Sequence, residues 1–205
     1  IMMVLGLSGN RYSGKDSVAK VFKQIGIPVF DVDTIIKFIL NYNTQLLGEL
    51  KLLFGDMIFT DESLDFKKIK NTKTFNKIMD VIEIDVLTAH ERFLKKNENS
   101  VYTIFHSSIL FERKWNLEMD SNIVIFSPNN DRIKRCKYMT NQGLLVINDL
   151  LQQEMDPIEK NQMSDYIIHS YNEETLLGDI LTQVSNVDQD IIDKYLLREQ
   201  TTRVV

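Results

Sequence analysis

Residues 9–17 read Gly9-Asn10-Arg11-Tyr12-Ser13-Gly14-Lys15-Asp16-Ser17, and their spacing decides what is built around them. A glycine, four residues, then Gly-Lys is the frame of a phosphate-binding loop. Glycine lets the main chain wrap an anion with several N–H groups turned inward. Before the frame lies a short apolar run, Met3 to Leu7, which reads as a buried strand. After it, Val18, Ala19, Val21 and Phe22 recur at helical spacing within 16–24. A helix that starts at the anion adds the partial positive charge of its amino end. Lys15 can then reach the outer phosphates of a nucleotide, and all nine residues are candidates to line its site.

Asp16 departs from the frame, which ordinarily has Ser or Thr there to ligate magnesium. A carboxylate is also a hard oxygen ligand. Either Mg2+ bridges Asp16 to the phosphates, or Asp16 turns aside and Ser17 or water takes the role. Asp16 also reads simply as an acidic residue favoured at a helix start. The candidate metal ligands are therefore Asp16 and Ser17.

Outward from the loop, strand and helix signals alternate. Strands are expected at 28–30, 101–105, 122–126 and 166–169. Helices are expected at 34–40, 46–54, 75–93, 131–139, 144–155 (closed by Pro157) and 173–184. Residues 56–65 read as loop, and the charged tail from Asp188 as a fraying end with a short helical pattern at 191–197. Alternation of this kind implies an α/β fold, a parallel sheet with helices on both faces. The apolar strands leave too few alternating polar positions for a half-solvated antiparallel sheet.

The totals set limits. A chain of 205 residues is one ordinary domain with room for a small insert or lid. A net charge of −5 and a pI near 5.3 exclude a wholly basic nucleic-acid surface, so no nucleic-acid partner is expected. The lone Cys136 cannot form an internal disulfide and fits a reducing compartment. No apolar run reaches the roughly 20 residues of a membrane helix, and a cytoplasmic location is expected. Asn, Lys and Ile usage points to an AT-rich genome such as that of a phage, a virus or a low-GC host.

Other candidates carry two readings each. Asp33, in Val-Phe-Asp-Val-Asp33-Thr34, follows the second strand, where a carboxylate could act as general base; it also suits a helix cap before Thr34. Arg132, Lys134, Arg135 and Lys137 form either a phosphate-neutralising lid or a solvated basic face. His90, His106 and His169 lack metal spacing, although His106 ends the third strand and could face the site.

The stretch from Gly6 to Asp33, GLSGNRYSGKDSVAKVFKQIGIPVFDVD, resembles the opening of the dephospho-CoA kinases, a P-loop kinase family. YTIFHSSILFE (102–112), DRIKR (131–135) and EKNQMSDYIIHS (159–170) are similar to its later segments in order. The resemblance implies a five-stranded parallel sheet in the order 2-3-1-4-5, a helical substrate-binding insert at about 42–97 and a lid at about 136–157. It implies transfer of the γ-phosphate of ATP, with Mg2+, to the ribose 3′-hydroxyl of dephospho-CoA, a small nucleotide-like partner. Asp33 falls on the family's proposed base, Lys15 and its neighbours on the loop, and Arg135 on the arginine-bearing helix. The chain differs from the family pattern at Asp16, at Glu83-Ile84 where His-Pro is usual, at Ser108 before Ile109-Leu110, and at Met139 where a lid arginine is usual. The Gly14-Lys15-Asp16 loop is also similar to that of phage deoxynucleoside monophosphate kinases, which implies a different acceptor. A third reading is a domain that keeps the fold and binds nucleotide or a protein partner without turnover.

Overall fold

The computed structural model describes residues 2–61, 63–64, 69, 72–140, 154–171 and 176–202. The chain divides into two compact units, Ile1–Phe30 with Asn97–Val205, and Asp31–Lys96.

The first unit is built around strand β1 (Met3–Gly9), which runs between β5 (Tyr102–His106) and β6 (Ser121–Phe126). Leu7 pairs with His106 on one side and Ile123 on the other, both in parallel register. β2 (Val29–Asp31) lies beyond β5, and β7 (Tyr166–His169) lies beyond β6. The five strands are parallel, in the order β2-β5-β1-β6-β7. With the separate hairpin of β3 (Phe59–Thr60) and β4 (Ser63–Leu64) left out of the count this is 2-3-1-4-5, as the resemblance implies.

Period-two alternation sorts the strands' side chains. Met3, Leu5, Leu7, Tyr102, Ile104, Ile123 and Ile125 share a core with Val18 and Phe22 of α1 (Lys15–Gln24). On the other face Phe105 meets Phe30 and, edge-on, Trp115, with ring centroids 5.7 and 5.5 Å apart. After β6 comes α5 (Asn129–Thr140). The helix expected at 144–155, and the lid expected at 136–157, fall mostly on residues 141–153, outside the described residues.

Three expectations need correction. Residues 154–156 are not helical, and Pro157 opens α6 (Pro157–Gln162), with the Asp156 carboxylate accepting from Ile158 N at 2.7 Å. Proline suits that first position because its missing N–H would have no intrahelical partner there. The tail from Asp188 belongs to a continuous helix, α7 (Leu176–Thr202). Ile180, Val184, Val187 and Ile191 bury its apolar stripe in the sheet's core, and Tyr102 Oη donates to Asp188 Oδ1 at 2.5 Å. Residues 56–65 are not all loop: β3 (Phe59–Thr60) and β4 (Ser63–Leu64) pair as a small antiparallel hairpin.

The second unit is otherwise helical: α2 (Val32–Tyr42), α3 (Thr44–Phe54) and α4 (Thr72–Lys96). Asp31 caps α2, accepting from Thr34 N at 3.1 Å, and Asn43 caps α3 in the same way at Leu46 N. Ile36, Ile39, Leu46, Leu50, Ile78, Met79, Ile82 and Val86 are buried. Among the described residues no helix is long and apolar enough to cross a membrane.

Candidate phosphate-binding site

Buried polar residues are unusual in a small α/β core, and here many of them gather at the carboxyl ends of the strands. Ser8, Asn10, Ser13, Lys15, His106, Ser107, Ser127, Arg132 and Ser170 are all buried. In open parallel sheets ligands bind at those ends.

The loop leaves β1 at Gly9 and enters α1 at Lys15. Tyr12 and Gly14 adopt positive φ, 62° and 93°. At Gly14 the left-handed backbone favours glycine, and a Cβ would also lie 2.8 Å from Ser170 Oγ. At Gly9 a Cβ would lie 2.5 Å from Ser13 Oγ. The Oγ atoms of Ser8, Ser13 and Ser170 are buried without a hydrogen-bond partner among the described residues. Buried hydroxyls in that state are uncommon unless something else is to meet them.

The loop's carbonyls are turned toward two arginines of α5. Arg132 Nε donates to Arg11 O at 2.9 Å, and Arg135 donates to Tyr12 O and Ser13 O, each at 3.1 Å. Arg135 also donates to Ser127 Oγ and to Ser170 O. Glu154 completes the brace. It pairs with Arg132 and accepts from Arg11 N at 2.7 Å and from Asn10 Nδ2 at 3.2 Å. Three successive carbonyls are thereby tied on one side, which sets the orientation of the intervening amides.

At the mouth of the loop, Lys15 Nζ donates to Asp16 Oδ1 at 2.9 Å, and His106 Nε2 lies 3.4 Å from the same oxygen. Burial pushes the Asp16 carboxyl up, but Lys15, with His106 and Lys20, outweighs it and holds the group below the usual carboxylate range. The carboxylate is exposed and ionised, at a helix start where negative charge is favoured. Ser17 is exposed beside it. Burial, then the adjacent Cys136 sulfur, pushes the Tyr12 phenol up to about 12.

The structure thus brings Gly9 through Ser17, Arg135 and His106 together. Asp33 lies in the other unit, in the first turn of α2, half-buried. The side-chain cap of that helix comes from Asp31 and not from Asp33. Arg132 is no solvated basic residue: it is 1% exposed. Met139 is exposed on α5. Glu154 and Ser170 had no signal in the sequence, because no spacing pattern links Glu154 to Arg11 and Asn10, 143 and 144 positions away, or Ser170 to Arg135, 35 away.

A family model for dephospho-CoA kinase matches residues 3–176. A dephospho-CoA kinase of Zymomonas mobilis is 25% identical over 173 residues, which is 82% of this chain and 88% of that protein. The fold matches a Thermus thermophilus crystal structure, TT1252, with a TM-score of 0.80 at 19% identity, covering 92% of this chain and 97% of the other. A dephospho-CoA kinase from Campylobacter jejuni superposes with a TM-score of 0.58 at 17% identity, over 93% and 97%. Since the family match takes in the sheet, the loop and its bracing arginines in one span, the chain belongs to the dephospho-CoA kinase family.

Proposed function

We propose that this chain is an ATP-dependent kinase that moves the γ-phosphate to the ribose 3′-hydroxyl of dephospho-CoA. The observation that carries the reading is the arginine-braced loop at the strand ends, in a chain matched to the family over residues 3–176. Residues 9–17 cradle the phosphates, and Lys15 balances charge on the outer ones. Asp33 accepts the hydroxyl proton. Arg135 serves transfer by holding the loop's carbonyls, and the helical unit Asp31–Lys96 receives the acceptor. Catalysis on this plan is positioning and electrostatics, not covalent chemistry.

A divalent cation fits the residues present. Among the described residues no group of three His, Cys, Asp or Glu side chains is placed to hold a metal. A magnesium nucleotide does not need one, since one carboxylate plus phosphates and water suffices. Asp16 would hold it with Ser17 beside it, and the ion would neutralise charge on the phosphate oxygens.

A second reading, a deoxynucleoside monophosphate kinase, is favoured by Gly14-Lys15-Asp16. ADP release from Mg-ATP, measured with dephospho-CoA and with each deoxynucleoside monophosphate, separates the two. Release with dephospho-CoA, lost in Lys15→Ala, is the expected result. Release only with a monophosphate would replace the first reading by the second. ATP-induced stabilisation without release would leave a binding domain.

A further inference from the structure

The Asp16 carboxylate is approached from two directions, by Lys15 Nζ, which donates to it at 2.9 Å, and by His106 Nε2 at 3.4 Å, and the two neighbours are unlike. Lys15 carries its ammonium on a flexible four-carbon stem, and in the function proposed above that ammonium is needed by the phosphates. His106 is fixed. It ends β5, pairs in register with Leu7 of the central strand and is 2% exposed, with Nε2 3.4 Å from Asp16 Oδ1. When Lys15 turns toward phosphate, the imidazole is the holder that stays with the sheet. A carboxylate at this position reaches farther than a hydroxyl and has more rotamers to lose, so a fixed partner matters more to it.

We propose that His106 is a positioning residue for Asp16. Its ring keeps the carboxylate at the loop mouth, aimed at the cation of a bound magnesium nucleotide. Carboxylate on α1 and imidazole on β5 then act as one unit in the place where a hydroxyl ordinarily stands. The inference rests on the nucleotide reading of the loop.

The test is calorimetric titration of ATP, with Mg2+ and with EDTA, into wild type, His106→Ala, His106→Gln, Asp16→Asn and the double variant Asp16→Asn/His106→Ala. Loss of a group that orients a metal ligand typically costs about tenfold or more in metal affinity. His106→Ala is therefore expected to weaken the Mg2+-dependent part of ATP affinity about tenfold, with metal-free affinity within about twofold. His106→Gln, which keeps an N–H donor, recovers most of it. In the Asp16→Asn background, His106→Ala costs nothing further. Equal loss with and without Mg2+, no loss, or additive losses in the double variant would each overturn the proposal. Wild type that fails to bind ATP under either condition would overturn the nucleotide reading itself. Should the alanine variant not fold, the imidazole ¹⁵N signals of His106 in the ATP-bound wild type decide. They are expected to shift on Mg2+ titration there and not in Asp16→Asn; shifts alike in both, or in neither, would overturn the proposal.

Discussion

Two aspartates two residues apart stand at the start of α2. Asp31 caps the helix through Thr34 N, while Asp33 stands in its first turn. Asp31→Ala is expected to lower stability by about 1 kcal/mol, as the loss of a cap does. Asp33→Asn leaves the cap in place and is expected to reduce phosphoryl transfer to a hydroxyl about 10²–10⁴-fold, the usual contribution of a general base. Urea unfolding and a single-turnover transfer assay read the two effects apart. A large stability loss in Asp33→Asn with transfer intact would reverse the assignment. His90, on α4, offers a residue-scale pH test. Burial holds its imidazole down to about 4 against an ordinary 6.5. The unfolded chain thus takes up the proton first, and stability present above pH 6.5 is lost as pH falls toward 4, by about 3 kcal/mol. Relative to His90→Leu, wild type is expected to lose that amount between pH 7 and pH 4. Parallel profiles for the two proteins would contradict it.

At the scale of elements, the brace behind the loop is a buried ion pair, and such pairs are costly to break singly. Glu154→Ala leaves the Arg132 guanidinium buried without its carboxylate and is expected to cost about 3–5 kcal/mol. Arg132→Met/Glu154→Leu together are expected to recover most of that stability, since apolar side chains of like size tolerate the site. The double variant still lacks the bonds to Arg11 and Asn10, so its KM for ATP is expected to stay raised. Denaturant melts and initial-rate kinetics on both variants check this. The carboxyl-terminal helix gives a second element-scale expectation. Ile191 is fully buried against the sheet, so Ile191→Ala is expected to cost about 2–5 kcal/mol. A cost under about 0.5 kcal/mol, the surface value, would mean that the end of α7 frays.

At the scale of the molecule, the sheet could be read from the sequence because each strand is a short apolar run and helical periods separate most of them, although the β5-to-β6 crossover holds only turns and a short 3-10 segment at Trp115–Glu118. The loop could be read because Gly9, Gly14 and Lys15 act through local backbone geometry. What escaped the sequence was of two kinds. Some was local but ambiguous: a proline can follow one helix or begin the next, and the Asp156 cap that marks Pro157 as the start of α6 appears only in three dimensions. The charges of α7 hid a stripe at Val187 and Ile191 that is apolar on one face alone. The rest was long-range. Arg132 and Arg135 read as either a lid or a solvated basic face, and neither reading foresaw the loop carbonyls that they hold 121 to 123 positions away, or Glu154 bonding Arg11 from 143 away. No period or spacing encodes such a brace.

The proposed activity requires a loop that grips ATP and delivers its terminal phosphate to a hydroxyl. The most direct measurement is mass spectrometry of dephospho-CoA incubated with Mg-ATP and this protein, beside Lys15→Ala. A gain of one phosphoryl group at the 3′ position, slowed about 10²–10³-fold in the variant, is the predicted result. Unmodified dephospho-CoA with wild type, or equal conversion by both proteins, would contradict it.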